Sequence, residues 1–248
     1  MTLLALLIAL GVSRAWPDVE RWRTIDWLAE PALRVSRRGP AWAPAAATVI
    51  AALAAGALLA ALAHLLLGEF GRLLAGTVVL LLVLGPRDLD RDVEAAARGG
   101  EESAMARLRL RIEPDSTREQ GAAAVLHAAL ARWFGVLFWF AVLGIPGAVA
   151  YRSIRVARHL FPAGTEQRPA FDTVLGVLNW PAVALMTLSV ALMTDFDRVL
   201  DRFDARADRW RFPARLLDDL AGAVCGAAEP DEVDAESAPL ADLSLIHI

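Results

Sequence analysis

Hydrophobic residues occur in this chain as long unbroken blocks rather than at the three-to-four spacing of a soluble amphipathic fold. Residues 45–67 form a run of 23 without a charge, about 35 Å of helix, enough to cross the hydrocarbon core of a bilayer. Residues 133–151 are uncharged between Arg132 and Arg152, and residues 173–194 between Asp172 and Asp195. A shorter block, 70–85, qualifies if Arg72 extends its stem towards the headgroups. At the N-terminus nothing basic precedes the apolar stretch 2–13, and Arg14, Arg21 and Arg23 follow it, the reverse of a secretory signal. This stretch reads as a short first membrane helix with its N-terminus outside.

The polar segments between the blocks set an expected topology. Six arginines lie between Arg14 and Arg38, which puts that loop in the cytoplasm. Trp16, Trp22, Trp27 and Trp42 suit an interfacial belt, and Pro40 and Pro44 break the chain before the second block. Within that block Ala52, Gly56 and Ala60 make a small-xxx-small face that admits a close neighbour. The turn Gly68–Glu69–Phe70–Gly71 leaves room only for a hairpin, so the third block returns inward. Segment 87–132 carries eight arginines and is expected to be cytoplasmic. Its apolar spacing predicts a helix through Leu89, Val93 and Ala97, a break at Gly99–Gly100, and a second helix from Glu101 to Ile112, ended by Pro114. Asp115, Ser116 and Thr117 then offer caps for a third helix from Arg118.

Two places resist a single reading. Gly144–Ile145–Pro146–Gly147 stands inside block 133–151, where proline removes a backbone donor and glycine weakens the helix, so the run either crosses with a kink or folds back. A crossing would strand Arg152, Arg155, Arg158 and Arg168 outside, against the positive-inside rule. Beyond the fifth block, which contains Pro181, residues 195–211 predict an amphipathic helix. Phe196, Val199, Leu200, Phe203, Ala207 and Trp210 lie on one face, and Asp197, Asp201, Asp204 and Asp208 on another. That acidic stripe is either a solvated face or a site for Mg²⁺ or a partner helix.

Composition reinforces the class. The apolar fraction is 56% and the mean hydropathy +0.44, above the roughly 45–50% of soluble domains. All 25 basic residues are arginine, a coding bias that suggests a bacterium. Net charge is −4, but residues 229–248 hold six acidic residues and no arginine, leaving 25 basic against 23 acidic residues elsewhere. That tail is expected to be disordered, or to be the start of a helix cut short. A single cysteine, Cys225, excludes an internal disulfide framework.

Absent residues exclude several chemistries. Without lysine there is no G-x-x-x-x-G-K-[ST] phosphate loop and no Schiff base. His64, His127, His159 and His247 have no zinc-site spacing, and there is no G-x-S-x-G elbow. The densest charged cluster, Arg87, Asp88, Asp90 and Asp92, suits a Mg²⁺–phosphate group or the charging of a helix N-terminus. Nothing indicates nucleic acid.

Three stretches together resemble a known family. They are MTLLALLIAL with its Arg/Trp-rich loop, LGPRDLDRDVEAAARGGEESAMARLRL, and the run RWFGVLFWFAVLGIPGAVAYRSIRVARH through FDTVLGVLNWPAVALMTLSVALMTDFD. Their order and spacing are similar to AmpE, the inner-membrane protein associated with β-lactamase induction, itself related to the CobD/CbiB cobinamide-phosphate synthases. The best anchor is FWF-x₃-G-x-PG-x₃-YR, containing Gly144, Pro146, Gly147, Tyr151 and Arg152. The synthases carry E-N-T-x-D and N-T-x-D type motifs around this segment, where this chain has GAAAVLHAALARWFG and Ser153–Ile154–Arg155–Val156. The resemblance therefore implies a signalling role in the β-lactam and peptidoglycan-recycling response, alongside a protein partner and without a cofactor. Mg²⁺ and nucleotide belong only to the alternative, a CobD/CbiB-type enzyme. A transporter or scaffold is a third reading, disfavoured because no block carries a buried charge.

The expectation is an all-α polytopic protein of the bacterial inner membrane, in contact with membrane lipid. It has four to six membrane-embedded helices and a cytoplasmic helical segment at 87–132.

Overall fold

The computed structural model describes residues 2–15, 30–36, 40–84, 89–98, 101–110, 112, 116–193 and 213–227, and among these every regular element is helical. In chain order they are α1 (Thr2–Ala15), α2 (Glu30–Ser36), α3 (Ala43–Val83), α4 (Leu89–Arg98), α5 (Glu101–Leu110) and α6 (Arg118–Ala129). A π-helical turn (Leu130–Phe134) leads to α7 (Gly135–Leu143), followed by α8 (Ile145–His159), α9 (Arg168–Met193) and α10 (Pro213–Ala227). Among the described residues three helical stretches are long and apolar enough to cross a membrane: Ala43–Val83, Arg118–Leu143 and Arg168–Val190. The chain divides into two compact units, one of residues 1–86 and 133–179, the other of 87–132 and 180–248.

In the first unit, α3 is two arms joined at Gly68, whose φ of 62° and ψ of −143° no helix contains. A Cβ at Gly71 would collide with the Ala63 carbonyl and sit 2.8 Å from the Leu67 Cβ, so the second arm runs back along the first. The expected hairpin is therefore present. The same turn recurs between α7 and α8. Gly144 has φ 69° and ψ −146°, and a Cβ at Gly147 would collide with the Trp139 carbonyl and lie 2.7 Å from the Leu143 Cβ. Both are Gly-x-x-Gly turns. The first glycine takes a backbone conformation essentially closed to other residues, and the second lets the arms touch.

Of the two readings of 133–151, the fold takes the second: the run folds back. Pro146 does not kink a helix interior; it stands in the first turn of α8, where its missing N–H costs nothing. The return helix continues past residue 151 to His159, so Arg152 and Arg155 belong to it. That corrects the expected boundary of the block at residue 151.

The returning helix is the hub of this unit. Ile145, Ala148, Val149, Ala150 and Tyr151 are buried with Ala52, Val79, Leu80, Val136 and Phe140. The small-residue face of α3 receives its neighbour as expected: a Cβ on Gly56 would stand 2.6 Å from the Pro146 Cα. Lower down, Ala45 shares a second cluster with Ile154, Ala157, Phe161, Phe171 and Leu175. Ala45 and Ala157 stand equally far from Gly56 and Pro146 along their helices, so α8 and the first arm of α3 pack antiparallel. The starts of α3 and α9 and the end of α8 therefore lie at one end of the unit.

In the second unit, Ala96 of α4, Ala106 and Leu110 of α5, and Ile112 form a small core with Ala124 and Ala128 of α6 packed against it. The glycine pair at 99–100 falls between α4 and α5 as expected. Thr117 caps α6, accepting from the Gln120 N–H at 3.3 Å while the Gln120 side chain accepts from the Thr117 N–H at 3.0 Å. This is a reciprocal capping box. Ala221 of α10 is buried against Ala122 and Ala123 of α6.

Candidate functional site

Segment 138–152 is one hairpin, and Gly144, Pro146, Gly147 and Tyr151 each have a task there. Gly144 makes the reversal, Pro146 starts the return helix, and Gly147 lets the arms approach. Tyr151 lies across Gly135 so closely that any Cβ there would collide with its ring. Trp139 meets Phe138 edge to face and donates its indole N–H to the Leu178 carbonyl of α9 at 3.0 Å.

Polar groups gather below this hairpin, towards the end of α8. The Tyr151 hydroxyl, on a side chain 1% exposed, donates to Asn179 Oδ1 at 2.9 Å. It accepts from an Arg155 Nη at 3.3 Å, and the Arg155 guanidinium stands 5.8 Å from the tyrosine ring centre. One turn on, Asp172 is shared: Arg158 Nε donates to it at 2.5 Å and Arg168 Nε at 3.3 Å. Arg168 also donates to the Phe161 carbonyl at 2.7 Å and the Arg158 carbonyl at 3.4 Å, which ties the α8–α9 loop down. Phe161 and Phe171 stack beneath it with centroids 4.9 Å apart. Arg158 and Arg168 thus share one carboxylate while Arg155 meets only a neutral hydroxyl among the described residues, and the three together are electropositive. Ser153, 1% exposed, has a buried Oγ that meets no hydrogen-bond partner among the described residues.

The expected acidic cluster fares differently. Arg87 and Asp88 lie outside the described residues, as do the stripe Asp197, Asp201, Asp204, Asp208 and the tail 229–248; Asp90 stands in the first turn of α4. Asp92 is neither a solvated helix-end charge nor an open ligand. It is 3% exposed and accepts from Arg132 at 2.6 Å, across from α4 to the π-helical turn. A π-turn re-aims side chains by inserting a residue, and here Arg132 is the one that reaches the carboxylate. His127 and Asp218 make a second, more exposed α6–α10 contact at 3.0 Å. Among the described residues no group of three His, Cys, Asp or Glu is arranged to hold a metal.

Sequence reasoning singled out Tyr151 and Arg152 but missed Gly135, Arg155 and Asn179 as the partners of Tyr151. Asn179 carried a signal: it is a lone amide inside an apolar block, and such a group needs an internal partner. Gly135 carried none, because only the fold shows the ring that lies on it. Compared with protein-family models, curated proteins and solved structures, the chain matches none of them.

Proposed function

We propose that the chain is a multi-pass protein of the bacterial inner membrane, of AmpE type, acting in the signalling that leads to β-lactamase induction rather than as an enzyme. The observation that carries the membrane reading is apolar surface. Leu58, Leu62, Leu65, Leu66 and Leu67 on α3, with Val177, Leu188 and Leu192 on α9, are all exposed, Leu65 by 81%. A soluble protein does not leave such continuous leucine faces to water. Two hydroxyls inside the apolar α3 bond to their own backbone, Thr48 to Pro44 O at 2.8 Å and Thr77 to Leu73 O at 2.9 Å. Hydrocarbon favours that arrangement because it offers no other acceptor.

In this reading the N-terminal loop and 87–132 face the cytoplasm and the arms of α3 go out and back. The α7–α8 hairpin enters from the cytoplasm and stops where Pro146 meets Gly56, the middle of the first arm. The hairpin brings Arg155, Arg158 and Arg168 back to the end where α3 starts, which satisfies the positive-inside rule that a full crossing would break. Since α10 packs on α6, Cys225 lies on the same side of the membrane as 87–132. Cys225 on α10 is the only cysteine in the sequence, so this is directly measurable. An impermeant maleimide should leave it unlabelled in intact cells and reach it after permeabilisation; labelling in intact cells overturns the topology.

The family reading rests on the residue pattern, and is supported by the way FWF-x₃-G-x-PG-x₃-YR falls within a single hairpin. The synthase alternative loses one of its carboxylates, because Asp92 is already held by Arg132. Deleting the gene in its host should change β-lactamase induction by a sub-inhibitory β-lactam, and the intact chain should restore it. Expression in a strain lacking cobinamide-phosphate synthase should not restore growth on cobinamide. Unchanged induction, or restored growth, would remove the signalling assignment.

A further inference from the structure

We infer that Arg155 is the centre of a phosphate-binding site at the cytoplasmic surface of the membrane, filled by the phosphate of an anionic phospholipid headgroup; this rests on the membrane topology proposed above. Four observations converge on it.

The first is depth. With Pro146 against Gly56 at mid-membrane, Arg155 lies about 13 Å down the axis of α8 and Arg158 about 18 Å, at 1.5 Å per residue. Half of a hydrocarbon core is about 15 Å, so the two bracket the boundary where lipid phosphates begin.

The second is unmet donors. Arg155 gives one N–H to the Tyr151 hydroxyl, an uncharged acceptor. A guanidinium has five N–H groups in a planar fork that matches two phosphate oxygens, and the rest of this one meet no acceptor among the described residues.

Third, the group is held in place in advance. Tyr151 is fixed by its ring on Gly135 and its hydroxyl on Asn179, and Arg155 stands over that ring. Little side-chain freedom is left to lose on binding.

The fourth is charge. Arg158 and Arg168 share Asp172, so the neighbouring pair leaves excess positive charge beside Arg155.

A phosphate diester in a headgroup and a free phosphate ion offer the same oxygens, and the position of the site favours the lipid. The test uses the full chain in nanodiscs of phosphatidylcholine alone or with phosphatidylglycerol, read by thermal unfolding and by lipid titration. Phosphatidylglycerol should raise the unfolding temperature of the wild type, and Arg155→Gln should weaken the apparent lipid affinity by about tenfold, the size expected for losing a charge-assisted hydrogen-bonded contact. Should Arg155→Gln fail to reconstitute, Tyr151→Phe keeps the ring over Gly135, frees the guanidinium from its hydroxyl, and should show the same direction of loss. Arg72→Gln, at the tip of the other hairpin, should keep the lipid preference. Inorganic phosphate added to phosphatidylcholine discs separates the sources. If it stabilises the wild type equally through Arg155, the phosphate site stands and its ligand is soluble. Equal lipid preference in wild type and both variants, or loss in Arg72→Gln instead, overturns the inference. Failure of the wild type to enter phosphatidylcholine discs at all would count against the membrane reading itself.

Discussion

The two hairpins of the first unit share a turn and differ in everything around it. Both reverse the chain at a glycine with φ near +65°, and both rest a second glycine, three residues on, against a carbonyl of the outgoing arm. At Gly68 the flanking side chains are His64, Glu69 and Arg72. All three are about half exposed, with Glu69 3.4 Å from His64 and 3.2 Å from Arg72. At Gly144 the flanking residues are Ile145, Pro146 and Gly147, with Ile145 only 5% exposed and Pro146 pressed on Gly56. Backbone geometry is thus set by the glycine pair, whereas burial is set by the chemistry beside it: the charged tip is half exposed, and the uncharged tip is packed inside the unit.

The shared turn is the easiest part of this comparison to break. Leucine at Gly147 or at Gly71 would meet backbone carbonyls rather than movable side chains, Trp139 in one hairpin and Ala63 in the other. Each arm must then separate from its partner, so both substitutions should cost several kcal/mol, well above the roughly 1 kcal/mol of an average point change. Unfolding of purified protein in detergent measures this. If one is tolerated and the other is not, the two turns are not equivalent and the comparison fails at its root.

How much of this was readable follows from the range of the forces involved. The apolar blocks at 45–67 and 173–194 were legible because hydrocarbon length acts on contiguous residues. The α4–α5 break and the Thr117 cap were legible because they are decided within four residues. The reversal at Gly144 was half legible: the arginines after it argued for folding back, but no local rule ranks a kinked crossing below a hairpin. Its depth was not legible, since it depends on Gly56 meeting a proline ninety positions away. The same holds for Asp92, which the sequence offered as a helix-end charge or a ligand until Arg132, forty residues on, proved to be its partner. Tyr151 and Asn179 likewise belong to different helices, and periodicity carries no information about such pairs.

Depth is where the hairpins should part company. Arginine at Ile145 would place a guanidinium at the tip that packs against Gly56, in the middle of the first arm. A charge at the centre of a bilayer costs about 3 kcal/mol on insertion scales. Arginine at Phe70, 66% exposed beside the Glu69–Arg72 pair, stays at the charged tip that the proposed topology puts at the membrane surface, and should change stability by no more than about 0.5 kcal/mol. Ile145→Ala supplies the correction for lost packing, because it empties the same space without adding charge. The measurement is the fraction of each variant recovered in folded form from membranes, together with its unfolding midpoint in lipid. A large gap between Ile145→Arg and Ile145→Ala, with none between Phe70→Arg and wild type, is the result that a buried tip and a surface tip require. Equal behaviour of the two arginine variants would put both tips at the surface. The α7–α8 hairpin would then have to span the membrane, and Arg155 would lose the depth that makes it a headgroup ligand.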